Sequence, residues 1–449
     1  IMTRPSAPER PLTYGAIFWF WLPLAASWAL MTLEGPTIQA TIARLPQATT
    51  MLAAAGIVLS MEVTIESPII MLLATSTALV RTPQAYRLLR RFVLHLTLLL
   101  TVIAAAVAFV DPVYHWLIPG LMGIPAPIAE AAQPAMQIMT LWSAAIGWRR
   151  FYQGLLIRFG RTRQVGYGTA VRLAAVVAAA VTLAVVTDWP GVVVGGCVWM
   201  VGVVSELGYA YGSTRPTITA HLSGPVEPDR PPLTYRQIMK YHTPLAATSL
   251  LSLLIQPLIG AGLARMALPT ENLAAWPIVF SVLLFFRSFG FALQEVIIAL
   301  YRGPDSLVRL RRFCLGVAAA SSLVLALIAF TPLLRLYLLD ITGVTPDLAG
   351  FIIPGVVVGL LTPALQGVQS WQRGVLMTGY ATGDVYWGMG LNLLVTAAGI
   401  SLGVWGQTPG VPAAATALTG GMVVEMLFLA WRVRPVQARL QLTPEPARV

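Results

Sequence analysis

Apolar runs follow one another along the whole chain, near 13–43, 51–80, 92–110, 129–157, 165–187, 190–212, 237–264, 272–301, 313–334, 348–378, 384–403 and 410–431. Such runs match the ~20 residues a helix needs to cross a bilayer, and no strand-like alternation of apolar and polar positions competes with them. The pattern predicts an all-α polytopic membrane protein with twelve transmembrane helices. The first, second, fourth, seventh, eighth and tenth runs are longer than one crossing requires, so those helices should tilt, bend or extend past the lipid. Basic residues gather at every second connection: Arg81, Arg87, Arg90 and Arg91; Arg158, Arg161 and Arg163; Arg302, Arg309, Arg311 and Arg312. The alternate connections hold only Arg44, Arg265 and Arg335. The positive-inside rule therefore places both termini in the cytoplasm, and a bacterial inner membrane is the expected location. The first run is not followed by a small-residue cleavage site and should be retained as a helix.

The pattern also repeats. Residues 22–27 read LPLAAS and 243–248 read TPLAAT, an offset of 221 that also pairs Pro36 with Pro257, Arg44 with Arg265 and Ser60 with Ser281. Arg81, Pro83, Arg90, Arg91 and Phe92 pair in the same way with Arg302, Pro304, Arg311, Arg312 and Phe313. Further on the offset becomes 220, pairing Gly123 with Gly343, Pro134 with Pro354 and Gly154 with Gly374. Each copy carries six crossings, an even number, so both enter from the same side and are related by an axis along the membrane normal. The expected organisation is a six-helix lobe over 1–212, a Pro-rich polar linker over 213–235, a second six-helix lobe over 236–434 and a tail over 435–449. Two such lobes enclose a cleft and can expose it to either side in turn.

Composition agrees: 57% of residues are hydrophobic, only 10% are charged and mean hydropathy is +0.75. That excludes a soluble protein, and with it the nucleic-acid partner that a net charge of +11 would otherwise suggest. Lys240 is the single lysine, which leaves no phosphate-binding GxxxxGK loop and makes any transport secondary rather than ATP-driven. Cys197 and Cys314 sit in apolar runs, and His95, His115, His221 and His242 lack ligand spacing, so neither a metal nor another cofactor is expected. No catalytic constellation appears and no enzymatic activity is expected. The expected partners are the bilayer, a small-molecule substrate and a coupling ion, H⁺ or Na⁺, with the chain a monomer.

Ionisable residues inside the runs carry the functional expectation, because charge in hydrocarbon is costly unless it is paired or faces water. The candidates for binding or gating are Glu34, Glu62, Glu66, Arg149, Arg150, Arg287, Gln294, Glu295 and Arg373. Pro36 and Pro257 should bend the first helix of each lobe. Glu62 and Glu66 share a helix face, and Glu66 is the repeat equivalent of Arg287, so an ion pair across the two lobes is one expectation and separate pairing within each lobe the other. Arg149 with Gln369, and Gln153 with Arg373, are expected to line the inner mouth. Glu206, Glu425 and Asp384, near the ends of their runs, are expected at the membrane interface.

The duplicated six-helix pattern, the two proline-bearing opening helices and FYQGLLIRFGRTRQVG at 151–166 resemble the multidrug/oligosaccharidyl-lipid/polysaccharide (MOP) exporter superfamily, which includes the multidrug and toxic compound extrusion (MATE) transporters. Within it, LAAAGIVLSMEVTIESP at 52–68, LLDITGV at 338–344 and RGVLMTGY at 373–380 are most similar to the progressive ankylosis family. The resemblance implies a V-shaped two-lobed exporter of citrate, pyrophosphate or nucleotide-like anions, with Arg149, Arg150, Arg287 and Arg373 as anion ligands. The acidic first lobe, with Glu34, Glu62 and Glu66, suits a second reading, a MATE-type antiporter exchanging H⁺ or Na⁺ for an organic cation. A flippase for lipid-linked substrates is a third.

Overall fold

The computed structural model describes residues 12–224, 233–379 and 381–442. Arg4, Arg10, Arg230 and Arg448 of the charge pattern, the middle of the linker and the end of the tail lie outside them. With no water in the hydrocarbon, backbone polar groups must be satisfied within each segment, and the described residues are accordingly helical almost throughout.

The first lobe consists of α1 (Tyr14–Thr32), α2 (Glu34–Ile42), α3 (Ala48–Ile70), α4 (Leu72–Leu79), α5 (Pro83–Phe109), α6 (Asp111–His115), α7 (Ala126–Met139), α8 (Trp142–Arg158), α9 (Thr162–Val186) and α10 (Gly191–His221). The second contains α11 (Tyr235–Leu253), α12 (Ile255–Leu263), α13 (Pro269–Leu300), α14 (Pro304–Ala329), α15 (Pro332–Leu336), α16 (Pro346–Val358), α17 (Thr362–Thr378), α18 (Thr382–Trp405) and α19 (Gly410–Leu442). Eleven segments of the described residues are long and apolar enough to cross a membrane. The twelfth crossing is the α7–α8 pair. It occupies the same place as α16–α17, but a break at Thr140 and Leu141 divides it into helices of 14 and 17 residues, each too short to cross alone.

Several boundaries differ from the expected ones. Helix α10 continues to His221 and α19 to Leu442, so residues 213–221 are helix rather than linker and 435–442 are helix rather than tail. Likewise α5 and α14 begin at Pro83 and Pro304, about two turns before the apolar runs, and carry Arg87, Arg90, Arg91, Arg309, Arg311 and Arg312 on helix. Apolar runs measure lipid thickness, whereas helical hydrogen bonding continues past the lipid edge; at α5 the start is fixed by Thr82, whose hydroxyl accepts from the Ala85 N–H.

The opening helix of each lobe breaks at equivalent positions, Leu33 between α1 and α2 and Leu254 between α11 and α12. Pro36 and Pro257 have no N–H for the carbonyl four residues back, on Thr32 and Leu253, and their rings crowd it. Pro68 precedes a further break at Met71, while the equivalent Phe289 leaves α13 continuous. A wide π-type turn spans Trp116–Leu121 in one lobe and Tyr337–Thr342 in the other. The change of offset from 221 to 220 falls directly after it, where the first lobe has one extra residue. Inside the lobes the central helices α8 and α17 lie close to their neighbours through glycines: a Cβ on Gly154 would meet Ser76 Oγ at 1.8 Å, and one on Gly374 would meet Ile297 at 2.9 Å.

Two sets of contacts join the lobes. At the end bearing the α2–α3 and α12–α13 turns, Arg44 donates to the carbonyls of Asp340 (3.1 Å), Ile341 (2.7 Å) and Thr342 (2.9 Å), which close the second lobe's π turn. Arg265 reciprocates, donating to Leu121 and Met122 at 2.6 Å each. Each guanidinium covers carbonyls that a helix end leaves without intrahelical partners. Gly123 (φ +71°) and Gly343 (φ +79°) make the approach possible, since a Cβ on either would lie 3.1 Å from the guanidinium carbon. Just inside this double clasp, Gly56 packs on Pro277 and Gln39 bridges to the Pro277 carbonyl (3.0 Å) and the Ser281 hydroxyl (2.9 Å).

At the end bearing the chain termini, the opening helices cross over. The Trp21 indole of α1 donates to the Phe289 carbonyl at 3.1 Å and packs edge-on against Phe313, with ring centroids 5.7 Å apart. In α11 the equivalent residue is His242, which meets Thr75 at 2.9 Å and Phe92 at 5.2 Å. Each opening helix thus docks its first half on the other lobe.

Candidate functional site

Glu206, one part in a hundred exposed, is the centre of a polar knot in the first lobe. It accepts from Arg149 and from Gln153 (2.9 Å) on α8, and from Arg172 (3.3 Å) on α9. Arg172 also pairs with Glu34 at 2.6 Å, at the start of α2 immediately after the helix break. Two arginines and two glutamates therefore cancel. In such a site, stripping one partner from a buried pair costs about 3–5 kcal/mol.

The second lobe repeats the knot. Glu425 on α19 accepts from Arg373 on α17 and from Asn392 on α18 (2.7 Å), and Thr396 donates to Asn392 at 3.2 Å. Arg373 is the repeat equivalent of Gln153, Gln369 of Arg149 and Asn392 of Arg172. The arginine has moved one helical turn between lobes and still reaches the acid. Where the first lobe has Arg172 and Glu34, the second has Asn392 and Ile255, so the extra positive and extra negative charge occur together.

Between the lobes lies a cavity of about 410 Å³. From the first lobe, Glu34, Glu66, Trp142, Arg149, Arg150 and Arg172 line it; from the second, Gln256, Trp276, Phe280 and Ser281. Arg149, Arg172 and Glu34 are already paired. Arg150 and Glu66 are not: neither forms a hydrogen bond or ion pair with the described residues, and Arg150 Nε and Glu66 Oε2 are buried without a partner. The charges acting on Glu66 are Arg149, Arg150 and Arg172. The Trp142 indole N–H lies beside the Glu66 carboxylate and is its nearest donor.

The remaining candidates are placed as follows. Glu62 is buried one turn from Glu66 but is not on the cavity wall. Arg287 donates to Gln366 of its own lobe at 2.9 Å rather than pairing with Glu66 across the lobes; Glu66 has no matching ion pair within its own lobe. Gln294 touches the Met377 sulfur at 3.3 Å, Glu295 is on the exposed face of α13, and Arg373 belongs to the second knot. Arg149, Gln153 and Gln369 are buried inside the lobes rather than at a mouth. Glu206 and Glu425 are buried too, not interfacial; because α10 and α19 outrun their apolar stretches, these residues fall mid-helix. Asp384 pairs with the half-exposed Arg432 at 2.7 Å. Glu206 is thus the acceptor shared by Arg149, one of the expected site residues, and Arg172, which the sequence pattern left without a role.

This arrangement of two knotted lobes around a shared cavity has solved counterparts. The fold is that of the MATE transporters of the MOP superfamily. The chain matches an inward-facing MATE family transporter with a TM-score of 0.62 at 15% identity, over 97% of both chains. An outward-facing MATE structure also gives 0.62 at 15% identity, over 95% of this chain and 96% of that one. A MOP superfamily transporter from Pyrococcus furiosus Vc1, whose binding pocket of reversed polarity suggested a different function, gives 0.63 at 14% identity over 95% and 96%. No protein-family model and no curated protein matches the sequence. The likeness extends over essentially the whole chain, so the MATE fold accounts for both lobes at once.

Proposed function

We propose that this chain is a secondary exporter that works by alternating access between its lobes and moves a small molecule bearing a carboxylate or phosphate, with H⁺ or Na⁺ as the coupling ion. The observation that carries the reading is Arg150, a guanidinium on the cavity wall that no carboxylate contacts directly, although Glu66 and Glu206 lie within electrostatic reach. An anion would satisfy it, and guanidinium forks match carboxylate and phosphate geometry. The likeness of 52–68, 338–344 and 373–380 to the progressive ankylosis family makes citrate, pyrophosphate and nucleotides the first substrates to test. With the termini cytoplasmic, as the arginine distribution favours, the clasp faces outward. Glu66 favours a second reading, the cation antiporter, because it is equally unpartnered.

Uptake into proteoliposomes of a panel of both charge signs, with and without a pH or Na⁺ gradient, tests the proposal. Gradient-dependent accumulation of an anion, reduced about 10- to 100-fold by Arg150→Gln, is expected from the loss of a charge-assisted contact. Transport of organic cations alone, indifferent to Arg150→Gln, would overturn it.

A further inference from the structure

Arg150 and Glu66 share one cavity without touching each other, and the knot around Glu206 uses neither. Their repeat equivalents are Ser370 and Arg287, so neither charge belongs to the framework common to both lobes. A charge in an apolar surrounding that no direct ion pair satisfies is costly, and here two of opposite sign lie on one wall, within electrostatic reach of each other but not in contact. A simple anion on Arg150 would leave Glu66 bare, and a simple cation on Glu66 would leave Arg150 bare. We propose that the cavity is built for a zwitterion: a small molecule whose carboxylate or phosphate meets Arg150 while its ammonium group meets Glu66.

Other groups on the wall fit this division. Glu34, also on the wall, keeps one buried carboxylate oxygen, Oε1, without a hydrogen-bond partner. Glu62 is buried one turn behind Glu66, off the cavity wall. Trp142, Trp199, Trp276 and Phe280 supply apolar faces for a short carbon skeleton between the two charged ends. The volume, about 410 Å³, is at the small end of the ~300–1,000 Å³ typical of ligand pockets and suits amino-acid-sized or aminoalkyl-phosphate-sized molecules. The inference rests on the transport reading of the same cavity and narrows its substrate class.

The test compares three probes of similar size on the purified full-length protein in nanodiscs: phosphoethanolamine, ethyl phosphate and ethylammonium, with glutamate, glutarate and butylammonium as a carboxylate series. Binding is measured by calorimetry. The zwitterions should bind about 10- to 100-fold more tightly than the matched anions or cations. Glu66→Gln should bring zwitterion affinity down to that of the anion and leave the anion unaffected, whereas Arg150→Gln should weaken both. Anions that bind as well as zwitterions, with Glu66→Gln without effect, would sink the zwitterion proposal while leaving the anion exporter standing. Cations alone binding, or none of the six probes binding, would sink both. The comparison of probes on the unaltered protein decides the matter even if a variant fails to fold.

Discussion

Glu34 and Arg172 show how a single charge is tolerated in this fold. Arg172 is bound from two sides, by Glu206 within its lobe and by Glu34 at the start of α2, whereas the second lobe meets the same need with the neutral Asn392 opposite Ile255. Glu34→Ile alone should therefore destabilise the protein by leaving Arg172 with half its counter-charge, and Arg172→Asn alone by leaving Glu34 bare. The double variant Glu34→Ile/Arg172→Asn should recover much of the loss, with a coupling of roughly 0.5–3 kcal/mol in thermal denaturation of the detergent-solubilised protein. Strictly additive losses would show that the pair is not a unit. At this scale the sequence was informative about which residues mattered and less so about how they join. Glu66, Arg149 and Arg150 stand out as charges in apolar runs, and all three are on the cavity wall. Glu206 and Glu425 were assigned to the interface because the end of an apolar run was taken for the end of a helix. Glu66 and Arg287 are equivalent by repeat but do not face each other, since a two-fold relation brings positions together only where they lie against the axis, and Arg287 turns instead toward α17.

Among the elements, the clasp and the hinges divide the work of holding one state. Arg44 and Arg265 each close the π turn of the opposite lobe, and the helix breaks at Leu33 and Leu254 lie one turn before the prolines that cause them. Arg44→Ala with Arg265→Ala removes the hydrogen bonds that hold that end shut and should raise the labelling rate of Gln39→Cys, just beneath the clasp, by tenfold or more with a membrane-impermeant maleimide applied from that side. Gly123→Ala should act in the same direction, because its Cβ would press on the Arg265 guanidinium and its φ of +71° strains any L side chain. Unchanged labelling in both would mean that the clasp is not a gate. The prolines and the paired arginines were readable as repeats in the sequence. The clasp itself was not, because its acceptors are backbone carbonyls, which carry no residue signature.

For the molecule as a whole, duplication does not yield two independent bodies. Helix α1 finishes its packing on α13 and α14, and α11 finishes its packing on α3, α4 and α5. Half-chains 1–224 and 233–449 expressed together should therefore co-purify without a covalent link, and either half alone should aggregate or be degraded; stable, separately purified halves would contradict the exchange of opening helices. The sequence established the two-lobe plan and the order of crossings. It could not reveal the exchange, since contacts between copies follow from the conformation and not from the repeat. The crossover also sets a schedule for biogenesis. Trp21 and the Phe289 carbonyl that receives its indole N–H are 268 residues apart. At ~5–20 residues per second of synthesis, α1 has to wait on the order of tens of seconds before its docking surface leaves the ribosome. During that interval its aromatic face must be sheltered by lipid or by the insertion machinery, and slow elongation between the two copies would prolong the exposure.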